Sequence, residues 1–265
     1  MRWVWLTLLV VGCHGCGDSR VLAPVMLKAA NQMRVMSYNV NFGIAGDPST
    51  IDAIADAKPD LVFLQETNAE WQRAIVARLG SEYPHVRFTH PETWQAGGMG
   101  LLSKYPIVSL EHLDTYGGYF FAWRVVLDTK LGRIQVLNVH LRPPMSDGGS
   151  WVVGYFSTRG NRLSEIEHHA AALDRKLPTL VVGDFNEEGD GRAVEFLKDR
   201  GFGDALPQFV GKTRTWEWPV SGMTLKFQLD HIMHDAYFVP VTGAIVEAGR
   251  SDHKPVWVDF ERIDP

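Results

Sequence analysis

Strand-like and helix-like segments alternate along most of the chain, and one hairpin interrupts the alternation. The runs RVMSYNV and DLVFLQE have the composition of strands, and they flank the helical segment TIDAIADAK. Farther along, RVVLDT and RIQVLNVHL flank Lys130-Leu131-Gly132-Arg133, a hairpin signal with glycine in the turn. A hairpin pairs its strands antiparallel, whereas a helical crossover joins parallel strands. The pattern therefore favours an α/β sandwich with mixed sheets over a purely parallel sheet.

The length and composition of the chain are those of one large globular domain. It has 265 residues, of which 45% are hydrophobic and 22% are charged, and this is enough to bury a substantial core. Strand-like segments continue from near Met33 to PVWVDF near the end of the sequence. We predict one domain over residues 33–262, preceded by a tether over residues 17–32.

The first residues have the layout of an export signal. Met1-Arg2 supplies a positive charge, Trp3 to Val11 is apolar, and Gly12-Cys13 follows at once. This apolar run is shorter than the roughly 20 residues that a membrane-spanning helix needs. The stretch VVGC also resembles the bacterial lipobox, whose cysteine is lipidated. We therefore predict that residues 1–16 form a signal or lipobox-like segment, that Cys13 carries a lipid anchor, and that the protein is exported to the periplasm or cell surface.

Cys13 and Cys16 are the two cysteines of the sequence, and they form a Cys-x-x-Cys pair. Such a pair can indicate redox chemistry when it belongs to a folded unit. Here it follows a hydrophobic leader instead, so we disfavour a redox function. The predicted domain then has no disulfide bond of its own, and it depends on its core and on any bound metal for stability.

The charge balance limits the kinds of partner. The formal net charge is -5 and the isoelectric point is near 6.0. Nonspecific binding to the phosphate backbone of nucleic acid depends on many lysines and arginines, so a broad electrostatic grip is disfavoured. A local basic patch remains compatible with this composition, and nothing in the sequence indicates an obligate protein partner.

Six strand-like segments carry oxygen or imidazole ligands at or near an end. These residues are Asn39, Glu66, Asn138 with His140, Asp184 with Asn186, Asp230 with His231, and Asp252 with His253. An α/β fold gathers the ends of neighbouring strands, so these side chains can converge on one crevice. Several carboxylates at close range raise one another's pKa unless a cation neutralises them. Oxygen ligands without cysteine suit Mg²⁺ or Mn²⁺, with Ca²⁺ possible, and exclude a thiolate zinc site.

Seven motifs in order resemble one known family. They are MRVMSYNVN, DLVFLQET, GGMGLLSKYPI, VLNVHL, VVGDFN, LDHI and SDHKPVWVDF. Together they resemble the endonuclease/exonuclease/phosphatase superfamily, which is deoxyribonuclease-I-like, over about residues 33–260. The resemblance implies a four-layer α/β sandwich of two mixed β-sheets flanked by helices. It also implies metal-dependent hydrolysis of phosphoester bonds.

The resemblance assigns roles to the residues that match its motifs. It implies metal binding by Asn39, Glu66 and Asp252. It implies catalytic roles for the residues His140, Asp184, Asn186, Asp230 and His253. In this assignment Asp184 and Asn186 orient or activate the attacking water, Asp230 orients His253, and His140 assists the leaving group or the phosphate. Chemically, the metal and the imidazoles would stabilise charge on the phosphoryl oxygens, while a carboxylate or an imidazole accepts the proton of water.

Other polar residues have weaker signals. Arg124 and Asn138 are candidates for contact with the substrate phosphate, although Arg124 fits a surface position equally well. We expect Glu187 and Glu188 to face solvent and His231 to be structural. Trp151, Tyr155 and Phe156 lie in the long segment of residues 142–162, where they could stack on a base, contact lipid or pack on the sandwich; the sequence leaves these alternatives open.

The expected activity is that of a phosphodiesterase acting on nucleic acid or on a phospholipid head group. Asn68 follows LQET, where abasic-site endonucleases usually have lysine, and this disfavours a repair nuclease. Two alternatives stay open. One is a phosphomonoesterase on an inositol phosphate or another soluble phosphate ester. The other is a binding module that kept the fold and lost the chemistry.

Overall fold

The computed structural model of the chain describes residues 28–91, 94–117, 119–145, 149, 151–211, 214–220 and 223–263. The predicted signal segment with Cys13, and residues 17–27 of the predicted tether, lie outside the described residues. Just before the first strand, Lys28 pairs with Asp60, and Gln32 Nε2 donates to Glu261 Oε1 at 2.9 Å. In the part of the chain that the structure describes, no helix has the length and apolar character needed to cross a membrane.

The secondary structure is that of a mixed α/β protein. The strands are β1 (Met33–Asn39), β2 (Leu61–Gln65), β3 (His85–Thr89), β4 (Met99–Ser103), β5 (Ile107–Leu113), β6 (Ala122–Thr129), β7 (Gly132–His140), β8 (Thr179–Asp184), β9 (Gly203–Asp204), β10 (Trp216–Val220), β11 (Met223–Phe227), β12 (Asp230–His234), β13 (Phe238–Ile245) and β14 (Val256–Arg262). The helices are α1 (Pro48–Ala57), α2 (Ala69–Leu79), α3 (Trp151–Ser157), α4 (Arg159–Ala170), α5 (Arg192–Lys198) and α6 (Pro207–Val210).

Two six-stranded sheets form the centre of the molecule. The first has the order β13-β14-β1-β2-β4-β3, and the second has the order β5-β6-β7-β8-β12-β9. Both sheets are mixed: β1 is parallel to β2 but antiparallel to β14, and β7 is parallel to β8 but antiparallel to β6. Strands β10 and β11 form a separate hairpin. The β6–β7 hairpin predicted from the glycine signal is present, and Gly132 has a φ of 89° in its turn.

The core is arranged in layers. Inward-facing residues of both sheets, such as Phe63 and Val182, form one apolar cluster between the sheets. Helices α1 and α2 cover the outer face of the first sheet, where Trp71 is fully buried. Helices α4 and α5 cover the outer face of the second sheet through residues such as Ile166 and Leu197. The predicted four-layer α/β sandwich is therefore confirmed.

Two details of the sequence pattern differ from the fold. The segment GMGLLSKYPIV contains two strands, β4 and β5, which belong to different sheets. Helix α2 had no sequence assignment; it begins after Asn68, whose side-chain Oδ1 accepts hydrogen bonds from the backbone N–H groups of Glu70 and Trp71. Asn68 is thus a helix cap.

Candidate active site

The candidate site lies at one end of the cleft between the two sheets. Side chains alternate between the two faces of a strand, so every second residue points into the cleft. Two strands of the first sheet and three of the second place a buried polar residue at one end of this inward row: Asn39, Gln65, His140, Asp184 and Asp230. The register of the second sheet aligns His140 with Asp184 and Asp184 with Asp230. The apolar core between the two sheets is thus bordered at this end by a cluster of polar side chains.

The His253 imidazole lies between two carboxylates. Its Nδ1 is 2.9 Å from Asp230 Oδ2, and its Nε2 is 3.5 Å from Asp184 Oδ2. Burial alone would lower the pKa of His253, but the charges of Asp230 and Asp184 override burial and raise the pKa to about 10. His253 is therefore held as an imidazolium at neutral pH, and its Nδ1–H donates to Asp230.

His140 faces the same carboxylate from the other side. Its Nε2 is 3.5 Å from Asp184 Oδ2, and its ring stacks on Phe120 with centroids 4.0 Å apart. Burial and the charge of His253 lower the pKa of His140 to about 3, so this imidazole is neutral. Burial also raises the pKa of Asp184 to about 7, against the lowering effect of His253. Asp184 thus lies between a charged and a neutral imidazole.

Asn39 connects the two sheets at this point. Its Nδ2 donates to Glu66 Oε1 at 3.0 Å and to Asp184 Oδ2 at 3.1 Å. Its Oδ1 accepts the backbone N–H of Asn41 at 3.1 Å. The backbone N–H of Phe42 donates to Glu66 Oε2 at 3.2 Å, and burial raises the pKa of Glu66. Asn39 was predicted to bind metal; in this arrangement its amide nitrogen faces the two carboxylates and its oxygen faces the backbone N–H of Asn41.

The backbone around the site is unusual. Among the described residues, four that are not glycine have a positive φ, and three of them belong to this cluster: Asn41 at 60°, Glu66 at 59° and Asn186 at 53°. Such conformations are uncommon for residues with a Cβ, and they concentrate at functional sites. For Glu66, directly after β2, the turn places the carboxylate beside Asn39.

Asp252 is held by two residues that sequence reasoning did not identify. Asn41 Nδ2 donates to Asp252 Oδ1 at 2.8 Å, and Trp216 Nε1 donates to Asp252 Oδ2 at 2.9 Å. Asn41 could have been found, because it is a polar residue just beyond β1. No local sequence pattern indicated Trp216 as a site residue, since its partner Asp252 lies 36 positions away in the sequence.

Asn186 fixes the turn that follows β8. Its backbone N–H donates to Asp184 Oδ1 at 2.9 Å, and its Nδ2 donates to the carbonyl oxygen of Leu141 at 2.9 Å. The Asn186 side chain is buried, next to the end of β7. The turn therefore sets the orientation of the Asp184 carboxylate.

The prediction that Glu187 faces solvent is wrong. Glu187 is fully buried, and its Oε2 accepts a hydrogen bond from Arg162 Nε at 2.9 Å. Its Oε1 accepts the backbone N–H of Ala193 in the first turn of α5, where the helix dipole favours a negative charge. Behind the same turn, His231 Nε2 lies 3.0 Å from the carbonyl oxygen of Glu187, which fits the predicted structural role of His231. Glu188 is half-buried.

The two residues predicted to contact the substrate phosphate differ in position relative to the cluster. Arg124 belongs to the outward-facing row of β6, where its Nε donates to Gln135 Oε1 at 3.0 Å and its Nη1 to Glu111 Oε2 at 3.3 Å. Asn138 points inward but lies beneath His140, and its Oδ1 accepts from Gln65 Nε2 at 2.8 Å. The structure therefore places Arg124 away from the cluster and Asn138 in its floor.

The side chains of the cluster fit a divalent cation. Carboxylate oxygens of Asp184 and Asp230 lie within 4.8 Å of each other and of a His253 ring nitrogen, although His253 as an imidazolium has no lone pair to offer a metal. The buried Asp230 Oδ1 has no hydrogen-bond partner among the described residues. Glu66 and Asp252 add two more carboxylates close by: burial raises the pKa of Glu66, and the negative charge of Asp252 adds to this rise. A donor set rich in carboxylate oxygen suits Mg²⁺, Mn²⁺ or Ca²⁺.

Comparison with known proteins points to one family. The model of the family described as "Endonuclease/Exonuclease/phosphatase family" matches residues 36–253. These residues include all the members of the cluster described above. No curated protein matches the chain at a significant level.

Several solved structures share the fold. An endonuclease/exonuclease/phosphatase protein from Beutenbergia cavernae superposes with a TM-score of 0.69 at 18% identity, over 88% of this chain and 72% of that one. TDP2 from D. rerio, in complex with a single strand DNA product, gives a TM-score of 0.67 at 16% identity, over 87% of this chain and 99% of that one. The human Nocturnin catalytic domain, with a bound sulfate anion, gives 0.66 at 17% identity, over 88% and 94%. At these identities the likeness shows the fold alone.

Proposed function

Since the chain belongs to the endonuclease/exonuclease/phosphatase family, a family of phosphoester hydrolases, we propose that it is a divalent-metal-dependent phosphodiesterase. The observation that carries the proposal is the position of Asp184 Oδ2, which lies 3.5 Å from the Nε2 atoms of both His140 and His253. A carboxylate between two imidazoles can accept a proton from water, and the imidazoles can stabilise the negative charge that develops during phosphate ester hydrolysis.

Each side chain has a chemical part in this proposal. The raised pKa of Asp184, about 7, suits a general base that takes a proton from the attacking water near neutral pH. The His253 imidazolium, oriented by Asp230, donates hydrogen bonds to phosphoryl oxygens, on which negative charge grows. The neutral His140 imidazole presents Nε2 toward the same space and assists the leaving oxygen. Asn186 holds Asp184 in place for the attack.

Glu66 and Asp252 are the residues proposed to hold the cation, with Asp184 beside them. When bound there, a divalent ion would neutralise negative charge on the phosphoryl oxygens and on the carboxylates themselves. Hydrogen bonds from Asn39 and from the Phe42 backbone fix the two oxygens of Glu66 without the cation. The site therefore requires little rearrangement on binding.

The proposed substrates are phosphodiesters of nucleic acid or of a phospholipid head group. The structure of TDP2 in complex with a single strand DNA product and that of Nocturnin with a bound sulfate anion support an anionic ester as the substrate. A phosphomonoesterase on a soluble phosphate ester is the alternative within the same chemistry. A binding module without chemistry is disfavoured, because Asp184 and His253 are both present and their side chains lie 3.5 Å apart.

A substrate panel tests the proposal. The chain from about residue 20 onward is incubated with bis(p-nitrophenyl) phosphate, DNA, RNA and sphingomyelin, in Mg²⁺, in Mn²⁺ and in excess EDTA. Inositol phosphates and p-nitrophenyl phosphate test for the monoesterase. An Asp184→Asn variant is the matched control, because it keeps the shape of the site and removes the proposed base. Failure to hydrolyse any of these esters with either metal would refute the proposal.

The sequence of the first residues supports a separate proposal, that the protein is exported and carries a lipid on Cys13. Expression of the full chain with a radiolabelled fatty acid tests it. The label should enter the wild-type protein and be lost in Cys13→Ser. Equal labelling of the two proteins would contradict the proposal.

A further inference from the structure

We propose that Thr215 and Trp216, adjacent residues at the start of the β10–β11 hairpin, are positioning residues: Thr215 holds the backbone that carries Asp230, and Trp216 holds the carboxylate of Asp252. The inference rests on the proposed function. Neither residue belongs to a motif that indicated the site. Thr215 acts through the backbone N–H of Asp230, whose carboxylate contacts His253, and Trp216 acts through the carboxylate of Asp252, which directly precedes His253 in the sequence.

Thr215 fixes the start of β12. Its Oγ1 accepts the backbone N–H groups of Leu229 and of Asp230, each at 3.0 Å, and the side chain is fully buried. Its carbonyl oxygen accepts the backbone N–H of Lys254, next to His253, at 2.7 Å. Thr215 therefore ties the backbone that carries Asp230 to the backbone that carries His253, and so sets the contact between these two side chains.

Trp216 fixes Asp252 in a similar way. Its indole Nε1–H donates to Asp252 Oδ2 at 2.9 Å, while its backbone forms an antiparallel bridge with His253. The indole is 3% exposed and stacks with Phe227 and with Trp218, at centroid distances of 6.1 Å each. The stacking keeps the N–H pointed at the carboxylate.

The effect on a bound cation follows from this geometry. Oδ1 of Asp252 accepts from Asn41 and Oδ2 accepts from Trp216, so the two donors together prevent rotation of the carboxylate. Loss of an outer partner of a metal ligand typically weakens metal binding or activity by about 10–100-fold. If Trp216 had only a structural role, its replacement would lower the stability of the fold without a specific change in metal affinity.

The first experiment measures Mn²⁺ binding by electron paramagnetic resonance on the full chain. Trp216→Phe keeps an aromatic ring in the stack and removes the N–H; its dissociation constant for Mn²⁺ should rise by about 10–100-fold. Trp218→Phe makes the same chemical change two residues away in the same strand and should bind Mn²⁺ like the wild type. Equal affinity of Trp216→Phe and wild type would overturn the inference.

The second experiment tests Thr215 through kcat and KM. Thr215→Val has nearly the same shape but leaves two buried N–H groups without an acceptor, so kcat should fall by about tenfold or more with little change in KM. Thr215→Ser keeps the hydroxyl group and should restore kcat. Wild-type kcat in a folded Thr215→Val protein would overturn the assignment of Thr215, and if that variant does not fold, the Trp216→Phe result decides. Absence of both Mn²⁺ binding and hydrolysis in the wild-type protein would instead refute the proposed function on which the inference rests.

Discussion

The buried ion pair between Arg162 and Glu187 connects helix α4 with the turn that follows Asp184. Both side chains have 0% exposure, and Arg162 Nε lies 2.9 Å from Glu187 Oε2. The guanidinium also donates to Thr158 Oγ1 at 2.6 Å and to the carbonyl oxygen of Tyr155 at 2.9 Å. Arg162 thus has protein partners for its charge and for several of its N–H groups.

Arg162→Met removes the cation and leaves the Glu187 carboxylate buried without it. Breaking a buried pair by removing one partner costs about 3–5 kcal/mol. Glu187 keeps its hydrogen bond from the backbone of Ala193, so we expect a loss near the lower value, about 3 kcal/mol. For a domain of this size each kcal/mol lowers Tm by about 2–4 °C, which gives a fall of roughly 6–12 °C.

Urea unfolding followed by circular dichroism measures this loss. Arg159→Met in the same helix is the matched control, because Arg159 pairs at 3.6 Å with Asp190, whose side chain is 81% exposed. Such surface pairs contribute about 0–1 kcal/mol. Arg162→Met/Glu187→Gln should regain part of the lost stability, since it leaves no buried charge. A loss in Arg162→Met no larger than in Arg159→Met, or a double variant less stable than the single one, would refute the reasoning.

Other predictions concern catalysis and pH. His253→Ala and Asp184→Ala should each lower kcat by about 10²-fold or more in folded protein, the scale of a lost acid or base group; near-normal turnover in either would reject its role. Arg124→Gln should leave kcat unchanged, because Arg124 lies on the outer face of its sheet. A large fall in kcat would show that Arg124 contributes to catalysis. Burial raises the pKa of Glu165 from 4.5 to about 7, so its contribution to stability is present below pH 4.5 and is lost as pH rises to about 7. Glu165→Gln should therefore gain stability relative to the wild type across this range, by an amount on the order of 3 kcal/mol, and a difference independent of pH would contradict the assignment.

The sequence predicted the location of the site because the site follows strand ends. Asn39 and Asp184 are the last residues of β1 and β8, and Asp230 is the first residue of β12; a polar residue next to an apolar strand-like run can be recognised from the sequence alone. The mixed sheets were predictable for a similar reason, since a glycine hairpin between two strand-like runs is a local signal.

The remaining features depend on partners that are distant in sequence. Glu187 looked like a solvent-facing residue because its partner Arg162 lies 25 positions away, on a helix. Arg124 and Trp123 are neighbours in sequence, yet they lie on opposite faces of β6, and only the register of the sheet shows which one faces the cleft. Trp216 reaches Asp252 through a hairpin contact that no local pattern encodes.

The most direct test of the proposed activity is the initial rate of p-nitrophenol release from bis(p-nitrophenyl) phosphate as Mg²⁺ or Mn²⁺ is titrated into metal-free protein. We predict a rate that rises to saturation with the metal, returns to background in EDTA, and falls by about 10²-fold in His253→Ala. A rate that does not depend on the metal, or an equal rate in His253→Ala, would contradict the assignment of this cluster as a metal-dependent phosphodiesterase site.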